Sequence, residues 1–306
     1  MPTPQPGILD SDKAHALFLI LKLRPSAEIR RFKEGLRRLP GLAQEVSAID
    51  PNAQLTCAVG FGSKLWDRLS PKRHPKHLRP FKAIKAGKHV APSTGGDLWI
   101  HIASDRHDLN IELAMRLATG LASEIRVAEE VHGYRYLDSR DLTGFIDGTE
   151  NPKEDDRADA ALIGAEDPDF NGGSYVAVQR YVHHLEAWRK LPVSEQERTI
   201  GRTKPESREL PDSEKPPTAH ISRVVIEEDG KELEILRHSY PYGGVQQRGL
   251  FFVAYTKHLD IFDRMLGRMM GISGDGLHDR LMDFTKPVTG AVFFVPSKEF
   301  LIDLAT

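Results

Sequence analysis

The sequence predicts an α+β fold built from two ferredoxin-like units, over residues 1–143 and 144–306. In the first half, apolar runs of strand length alternate with segments of helical periodicity in the order β-α-β-β-α-β. The second half repeats this order loosely, which indicates an internal duplication. A chain of 306 residues has enough length for one large domain or for two units of about 150 residues that each bury a core.

The first unit begins after a proline-rich, polar segment, residues 1–12, which we expect to form an extended arm. The run HALFLILKL, residues 15–23, is a dense apolar stretch of strand length, and Pro40 is expected to interrupt the helical pattern that follows. Residues 62–96 are predicted to be loop-like, with helical fragments. The predicted elements are strands at residues 15–23, 52–61, 98–104 and 125–136 and helices at residues 27–49 and 108–123.

The second unit contains an insertion that a minimal ferredoxin-like unit does not need. Residues 201–223 lie between a predicted helix and a predicted strand pair, and they contain four prolines. Insertions of this kind often carry functional sites, and His220 lies near the end of this one. The predicted elements are strands at residues 174–184, 232–240, 250–256 and 291–295, with a turn at Gly243-Gly244, and helices at residues 186–199 and 259–270.

The charge composition argues against nucleic acid or an anionic membrane as a partner. The 42 basic and 44 acidic side chains nearly cancel, and a local basic run at residues 72–88 is interpreted as a solvated loop. The sequence shows no apolar run of membrane-spanning length and no export signal at its start. Residues 301–306 form no long tail of the kind that would target a nanocompartment. We therefore expect a soluble cytoplasmic protein, and the sequence leaves open whether it is encapsulated.

The single cysteine and the adjacent histidines exclude some metal sites. One cysteine, Cys57, rules out an intramolecular disulfide and a cysteine-based metal cluster, and its apolar neighbours predict a buried, unreactive thiol. His183 and His184 are adjacent, so in a strand they point to opposite faces and do not form a paired metal site. The sequence lacks the His-Glu-x-x-His spacing of a zinc hydrolase.

The run GFIDGTENP, residues 144–152, places one carboxylate, Asp147, between two glycines. Glycines allow positive φ, so the backbone can approach a flat or charged partner while Asp147 projects from a constrained turn. A plain structural loop is the alternative, because Asp-Gly is common in hairpin turns and Asn-Pro marks turns. A simple turn, however, does not require all nine residues in this order.

This run resembles the distal haem motif of the dye-decolorizing peroxidase family. Two runs downstream extend the resemblance: AHISR, residues 219–223, is similar to the proximal-histidine segment of the family, and LRHSY, residues 236–240, is similar to its distal-arginine segment. Their order and separations resemble the compact class B branch. The likeness covers nearly the whole chain.

The resemblance implies a dimeric α+β barrel-like arrangement of the two units and haem b as cofactor. The haem would be non-covalent, because the chain lacks a Cys-x-x-Cys-His motif. The implied activity is oxidation of dyes, phenols or another small-molecule electron donor by hydrogen peroxide in one-electron steps, in a homo-oligomer. The alternatives are release of iron from haem with the porphyrin intact, as in a deferrochelatase, a non-catalytic haem carrier or sensor, and a cofactor-free binding dimer. Asp147 and Arg237 argue against a carrier, because storage has no use for a distal acid and cation.

On the proximal side, the resemblance implies His220 as the protein ligand of the haem iron. A ligating histidine usually donates its other ring nitrogen to an acceptor, which orients the ring. Asp279 and Asp283 are the available carboxylates, and their i, i+4 spacing would place them on one face of a helix. We expect Asp279 to be this acceptor, with Asp283 as the alternative.

On the distal side, peroxide cleavage requires a base for the proton and a cation for the developing charge. The resemblance implies Asp147 and Arg237 in these roles, with Gly148 and Ser239 beside them. Ser239 stands where some relatives carry asparagine. A dry site would raise the pKa of Asp147 and Arg237 would lower it, and the sequence leaves the outcome open. Arg202 is implied as a contact to the haem propionates, with a solvated loop as the alternative.

Overall fold

A computed structural model describes residues 2–305. The first half of this part of the chain contains β1 (His15–Leu23), α1 (Ile29–Ser47), β2 (Thr56–Phe61), α2 (Ser63–Leu69), β3 (Ile84–Ala86), β4 (His89–Ala91), β5 (Leu98–Ser104), α3 (His107–Gly120) and β6 (Ile125–Tyr134). The second half contains α4 (Asp156–Ala161), β7 (Ser174–His183), α5 (Leu185–Arg189), α6 (Val193–Ile200), α7 (His220–Val224), β8 (Glu227–Glu228), β9 (Lys231–Glu232), β10 (Leu236–Arg237), β11 (Tyr240–Gly243), β12 (Arg248–Thr256), α8 (Leu259–Met270), β13 (Thr285–Pro287), β14 (Ala291–Val295) and α9 (Lys298–Ala305). Short 3-10 helices span Pro51–Ala53, Pro168–Phe170 and Arg280–Asp283.

Eight antiparallel strands close into a barrel. The first half contributes the order β6-β1-β5-β2 and the second half the order β11-β12-β7-β14. The two four-stranded sheets meet at the pairs Tyr242↔Gly133 and Phe294↔Phe61. Both halves thus have the strand order of a ferredoxin-like unit, and the predicted barrel-like α+β fold is confirmed. The unit boundary at residue 143 stays a prediction.

The barrel is packed on both faces of its strands, as the alternating side-chain directions of a strand allow. In β1, the even residues Ala16, Phe18 and Ile20 point into a core that draws on strands from both halves. The odd residues of the same strand join a second core, formed with the outer helices. Inside the barrel, the ring of Phe18 stacks on that of Phe251 with 4.5 Å between their centroids, so residues distant in sequence hold the two halves together.

The outer face of the second sheet lines a cavity. Tyr181 on β7 and Phe252 on β12 face this cavity, and α7 and α8 form its other wall. Arg202, in the inserted segment between α6 and α7, also lines this cavity. Within residues 2–305, none of the helices combines the length and apolar character that a bilayer crossing requires.

Several predicted elements have different limits in the structure. The helix predicted at residues 186–199 is two helices, α5 and α6, because Pro192 cannot donate a backbone hydrogen bond and disfavours helical geometry in the preceding residue. Pro40 does not interrupt the first helix, since α1 continues to Ser47. The strand predicted at residues 232–240 is broken into β9, β10 and the start of β11, which runs on to Gly243.

The amino-terminal segments also differ from the prediction. The predicted arm packs against the barrel: Ile8 is fully buried, and the Gln5 side chain exchanges two hydrogen bonds with the backbone of Val59 on β2. β2 begins at Thr56, because Pro51 starts a 3-10 helix. Residues 62–96 contain α2, as the predicted helical fragments suggested, and also the β3–β4 hairpin.

Candidate active site

The cavity beside the second sheet contains about 1450 Å³ of empty space, counted to its open mouth. Part of this volume is open solvent, and the walls are formed by the second sheet, α7 and α8. Most of its lining is apolar, including Phe252, Phe262 and Met265. Polar side chains converge at a few positions on this lining: Asp141, Asp147, Gln179, His183, Arg202, His220, Arg237 and Ser239.

His220 is the first residue of α7, and its ring is fixed by a buried carboxylate. The Nδ1 atom of His220 donates to Oδ2 of Asp279 over 2.6 Å, and Asp279 is fully buried. A carboxylate oxygen only accepts, so Nδ1 carries the proton and Nε2 keeps its lone pair. Nε2 has no hydrogen-bond partner among residues 2–305. The imidazole is therefore oriented and free to bind a metal ion through Nε2.

Backbone contacts hold Asp279 in place. Its Oδ1 atom accepts from the N–H of Leu281 over 2.9 Å, which caps the 3-10 helix Arg280–Asp283. Its own N–H donates to the carbonyl of Met269 at the end of α8, over 2.9 Å. The N–H of Arg280 donates to the carbonyl of Thr218 over 3.0 Å, which joins this segment to the residues before α7.

Asp283 lies apart from His220. Asp279 precedes the short helix as its cap, so the two acids do not share a helical face. The Oδ1 atom of Asp283 accepts from Nζ of Lys88 over 2.8 Å, and Asp283 lines a different pocket. The structure thus brings Asp279, and not Asp283, to the imidazole.

Asp147 lies in the turn between two glycines, and its carboxylate reaches the cavity. The N–H of Gly148 donates to Oδ1 of Asp147 over 2.7 Å, and Gly148 has a φ of +76°, in the left-handed region that favours glycine. The Asp147 N–H donates to the carbonyl of Ser139 over 3.0 Å. These contacts fix the direction in which the carboxylate points.

Arg237, at the end of β10, lies opposite this carboxylate. Its Nη1 atom is 4.0 Å from Oδ1 of Asp147. Asn151 holds it: Oδ1 of Asn151 accepts from the backbone N–H and from Nε of Arg237 over 3.0 and 3.3 Å, and Nδ2 of Asn151 donates to the Arg237 carbonyl over 2.8 Å. Sequence reasoning assigned Asn151 no role beyond its place in the motif, because its partner lies 86 residues away.

The structure decides the direction of the pKa shift of Asp147. Burial raises its pKa most strongly, and the nearby negative charge of Asp141 adds to this. Arg237 and the N–H of Gly148 lower it, and the net shift is upward from the ordinary value of a carboxyl group. A raised pKa suits a group that takes up and returns a proton.

Asp141 and His183 are cavity residues to which the sequence assigned no role. The Oδ1 atom of Asp141 and Nε2 of His183 are 3.0 Å apart, and Thr143 donates to Oδ2 of Asp141 through its N–H and its hydroxyl. Burial alone would raise the pKa of Asp141, but His183 and these hydrogen bonds lower it to about 2. Asp141 is therefore a fixed negative charge near Asp147. His184 faces a different pocket, as expected for adjacent strand residues.

Ser239 and Arg202 are two further polar residues of the lining. The Ser239 Oγ atom accepts from the N–H of Val253 over 3.2 Å, so its hydroxyl proton stays available to the cavity. Arg202 is largely buried and forms an ion pair with Glu150, and Glu209 lies 3.9 Å from the same guanidinium nitrogen. Arg202 is thus a cation at the cavity whose charge is already paired.

Comparisons with known proteins identify the family. The model of the Dyp-type peroxidase N-terminal domain matches residues 5–135, and that of the C-terminal domain matches residues 138–300. The chain belongs to the Dyp-type peroxidase family. It is similar to the dye-decolorizing peroxidase of Mycolicibacterium paratuberculosis, at 41% identity over 98% of this chain and 85% of that protein, and to that of Mycobacterium tuberculosis, at 39% identity over 98% and 90%.

Solved structures agree with this assignment. A variant of DypB from Rhodococcus jostii RHA1, in complex with heme, matches with a TM-score of 0.95 at 43% identity over 99% of each chain. The encapsulated DyP-type peroxidase from Mycobacterium smegmatis matches with a TM-score of 0.96 at 39% identity, over 99% of this chain and 98% of that one. This Dyp-type peroxidase is therefore a haem-dependent oxidoreductase that acts on peroxide.

Haem b fits the residues of the cavity. The lining is apolar and large, and the imidazole with a free Nε2 atom and a carboxylate partner is a suitable donor for iron. Cys57, the only cysteine, is buried in β2, and burial raises the pKa of its thiol to about 12. It is not a residue of the cavity lining, so no thiol is available there to attach the haem covalently.

Proposed function

We propose that this Dyp-type peroxidase holds haem b through Nε2 of His220 and activates hydrogen peroxide with Asp147 and Arg237. One observation carries the proposal: an imidazole oriented by Asp279 and an acid–cation pair 4.0 Å apart line the same apolar cavity. The haem, when bound, supplies the redox chemistry that links peroxide reduction to one-electron oxidation of a donor. The protein supplies orientation, charge and proton transfer.

Asp147 acts as the proton carrier. Its carboxylate accepts the proton of the bound peroxide and returns it to the departing oxygen, and the raised pKa makes the return easier than for an ordinary carboxylate. The N–H of Gly148 keeps one carboxylate oxygen fixed in position during this exchange.

Arg237 supplies a fixed positive charge. Its guanidinium attracts the peroxide anion and stabilises the charge that develops as the O–O bond breaks. Asn151 is the positioning residue, because it holds the backbone of Arg237 through two hydrogen bonds and accepts a third from the Nε atom of its side chain. Ser239 offers a hydroxyl proton beside this pair.

Dyes, phenols and similar small molecules are the proposed electron donors. The test is steady-state turnover of haem-loaded protein with peroxide and a panel of such donors. We expect the haem-loaded protein to be red-brown with a Soret band. It should oxidise at least one of the donors in a peroxide-dependent manner. A haem-loaded protein without such turnover would refute the proposal.

Release of iron from haem is the less favoured alternative. The deferrochelatase of Escherichia coli K12 is 24% identical over 78% of this chain and 64% of that protein, well below the identity of the dye-decolorizing peroxidases. Release would give iron-free porphyrin, which is detected by its fluorescence after incubation with haem. We expect no such fluorescence above that of a His220→Ala control.

Propionate binding, self-association and a cytoplasmic location are also part of the proposal. Arg202 lines the cavity and is paired with Glu150; we propose that it also contacts a haem propionate, in which case Arg202→Ala should weaken haem binding. Analytical ultracentrifugation tests self-association, and cell fractionation tests the location.

A further inference from the structure

Three metal-binding side chains converge beside the β3–β4 hairpin, outside the haem cavity. His89 lies on β4, and His278 and Asp283 lie on the segment that includes the 3-10 helix Arg280–Asp283. One nitrogen or oxygen atom of each lies within 4.8 Å of the others. We propose that His89, His278 and Asp283 bind a divalent transition-metal ion, with Zn²⁺ as the best match to the donor set.

Two of the separations, measured to the two different oxygens of Asp283, are close to the ligand spacing of a zinc site. Nε2 of His89 is 3.7 Å from Oδ1 of Asp283, and Nε2 of His278 is 3.4 Å from Oδ2 of the same carboxylate. With metal bonds of about 2.0–2.1 Å, neighbouring ligand atoms of a tetrahedron lie about 3.4 Å apart. The contact between Nε2 of His278 and Oδ2 of Asp283 is a long hydrogen bond, whereas the 3.7 Å separation of His89 from Asp283 is too long for one.

The environment of the His89 ring nitrogen is a second, independent observation in favour of a metal site. The Nε2 atom is buried and has no hydrogen-bond partner within residues 2–305, and the side chain is only 11% exposed. A buried polar atom without a partner is costly, and a metal ion would provide the missing contact. Burial and the neighbouring His278 also lower the pKa of His89, which favours the neutral imidazole that metals bind.

Lys88 competes with a metal ion for the carboxylate of Asp283. Its Nζ atom lies 2.8 Å from Oδ1 of Asp283, but the Lys88 side chain is 73% exposed and can move away at little cost. A divalent ion would replace this single charge. A water molecule would complete the four ligands that zinc prefers.

A second cluster provides a matched control. His77, His258 and Asp260 also bring their ligand atoms within 4.8 Å of one another. There, however, Nε2 of His77 and Nδ1 of His258 are 3.1 Å apart and hydrogen-bonded to each other, so neither atom lacks a partner. We therefore expect the tighter site at His89.

Such an ion would join the β3–β4 hairpin to the segment that supplies Asp279, the partner of His220. His278 directly precedes Asp279, and Asp283 ends the 3-10 helix that Asp279 caps. The ion would thus stabilise the support of the proximal side without entering the haem cavity.

The test measures zinc on haem-loaded protein. The wild type and the variants His89→Ala, His278→Ala, Lys88→Met and His77→Ala are treated with a chelator, dialysed against buffered Zn²⁺ and analysed for zinc per chain by mass spectrometry. A competing zinc indicator gives the affinities, and the Soret band and circular dichroism report whether each variant is folded.

We expect the wild type to bind one tightly held zinc ion per chain. His89→Ala and His278→Ala should each weaken binding by more than the about 10–100-fold that loss of an outer-shell partner typically costs. Lys88→Met should bind zinc at least as tightly as the wild type, and His77→Ala should bind it with unchanged affinity. The proposal would be overturned if the wild type bound no zinc tightly. It would also be overturned if zinc were lost from His77→Ala but retained in a folded His89→Ala, or if Lys88→Met bound zinc more weakly than the wild type.

Discussion

Replacing Arg237 by leucine should slow the reaction with peroxide more than replacing Asp147 by alanine. The charges of the two side chains lie 4.0 Å apart, and unit charges at this distance interact by about 4 kcal/mol at an effective dielectric constant of about 20. A peroxide oxygen at a similar distance from Arg237 would gain a stabilisation of this order. Single donors in such sites are typically worth about 3–4 kcal/mol, or about 100–1,000-fold in rate.

The proton-transfer function of Asp147 is easier to replace than the charge of Arg237. The cavity is open to solvent, so water can carry a proton between the two peroxide oxygens when the carboxylate is missing. General acid–base help is worth about 100-fold or more, and we expect only part of it to disappear in Asp147→Ala. Water cannot supply the positive charge of Arg237.

The assay is the second-order rate constant of haem-loaded protein with peroxide, followed by stopped flow at the Soret band in one buffer. Arg237→Lys is the matched control, because it keeps the charge but loses the hydrogen bond from Nε to Asn151. Its rate should lie between those of the wild type and Arg237→Leu. A slower reaction in Asp147→Ala than in Arg237→Leu, with equal haem content, would refute this reasoning.

Three further predictions concern the same site. His220→Ala should abolish or strongly reduce haem retention, whereas His184→Ala, which lies at a different pocket, should not; equal Soret absorbance in both would contradict the assignment. If Asp147 must be ionised, the peroxide reaction should slow as pH falls through its pKa, and because burial raises that pKa the loss should begin above the ordinary value of about 3.9. A stopped-flow pH profile tests this, and Asp147→Asn should remove the acid limb; a profile identical to that of the wild type would exclude the base role. Asn151→Ala should slow the same step by about tenfold, the effect of losing roughly 1.4 kcal/mol of hydrogen bonding to Arg237, with haem content unchanged, and a rate equal to wild type would show that Asn151 does not position the arginine.

The sequence alone predicted the features that depend on local pattern. Alternating apolar runs and helical spacing predicted the two ferredoxin-like units, because strand and helix periodicities are properties of neighbouring residues. The motif around Asp147 and the segments with His220 and Arg237 are also contiguous runs, and their resemblance predicted the family. Local pattern was less successful at prolines: Pro40 stays inside a continuous helix, whereas Pro192 divides one.

Only the tertiary structure decided which distant groups meet and what charge they carry. His220 and Asp279 are 59 residues apart in sequence, and their contact depends on how α7 packs near the end of α8. The spacing in the sequence does not show whether Asp279 or Asp283 is the partner of His220. In the structure, Asp279 is buried at the start of the short helix, whereas Asp283 pairs with Lys88. The pKa of Asp147 likewise depends on the balance of burial against the nearby Arg237, and both exist only after the chain has closed around the cavity.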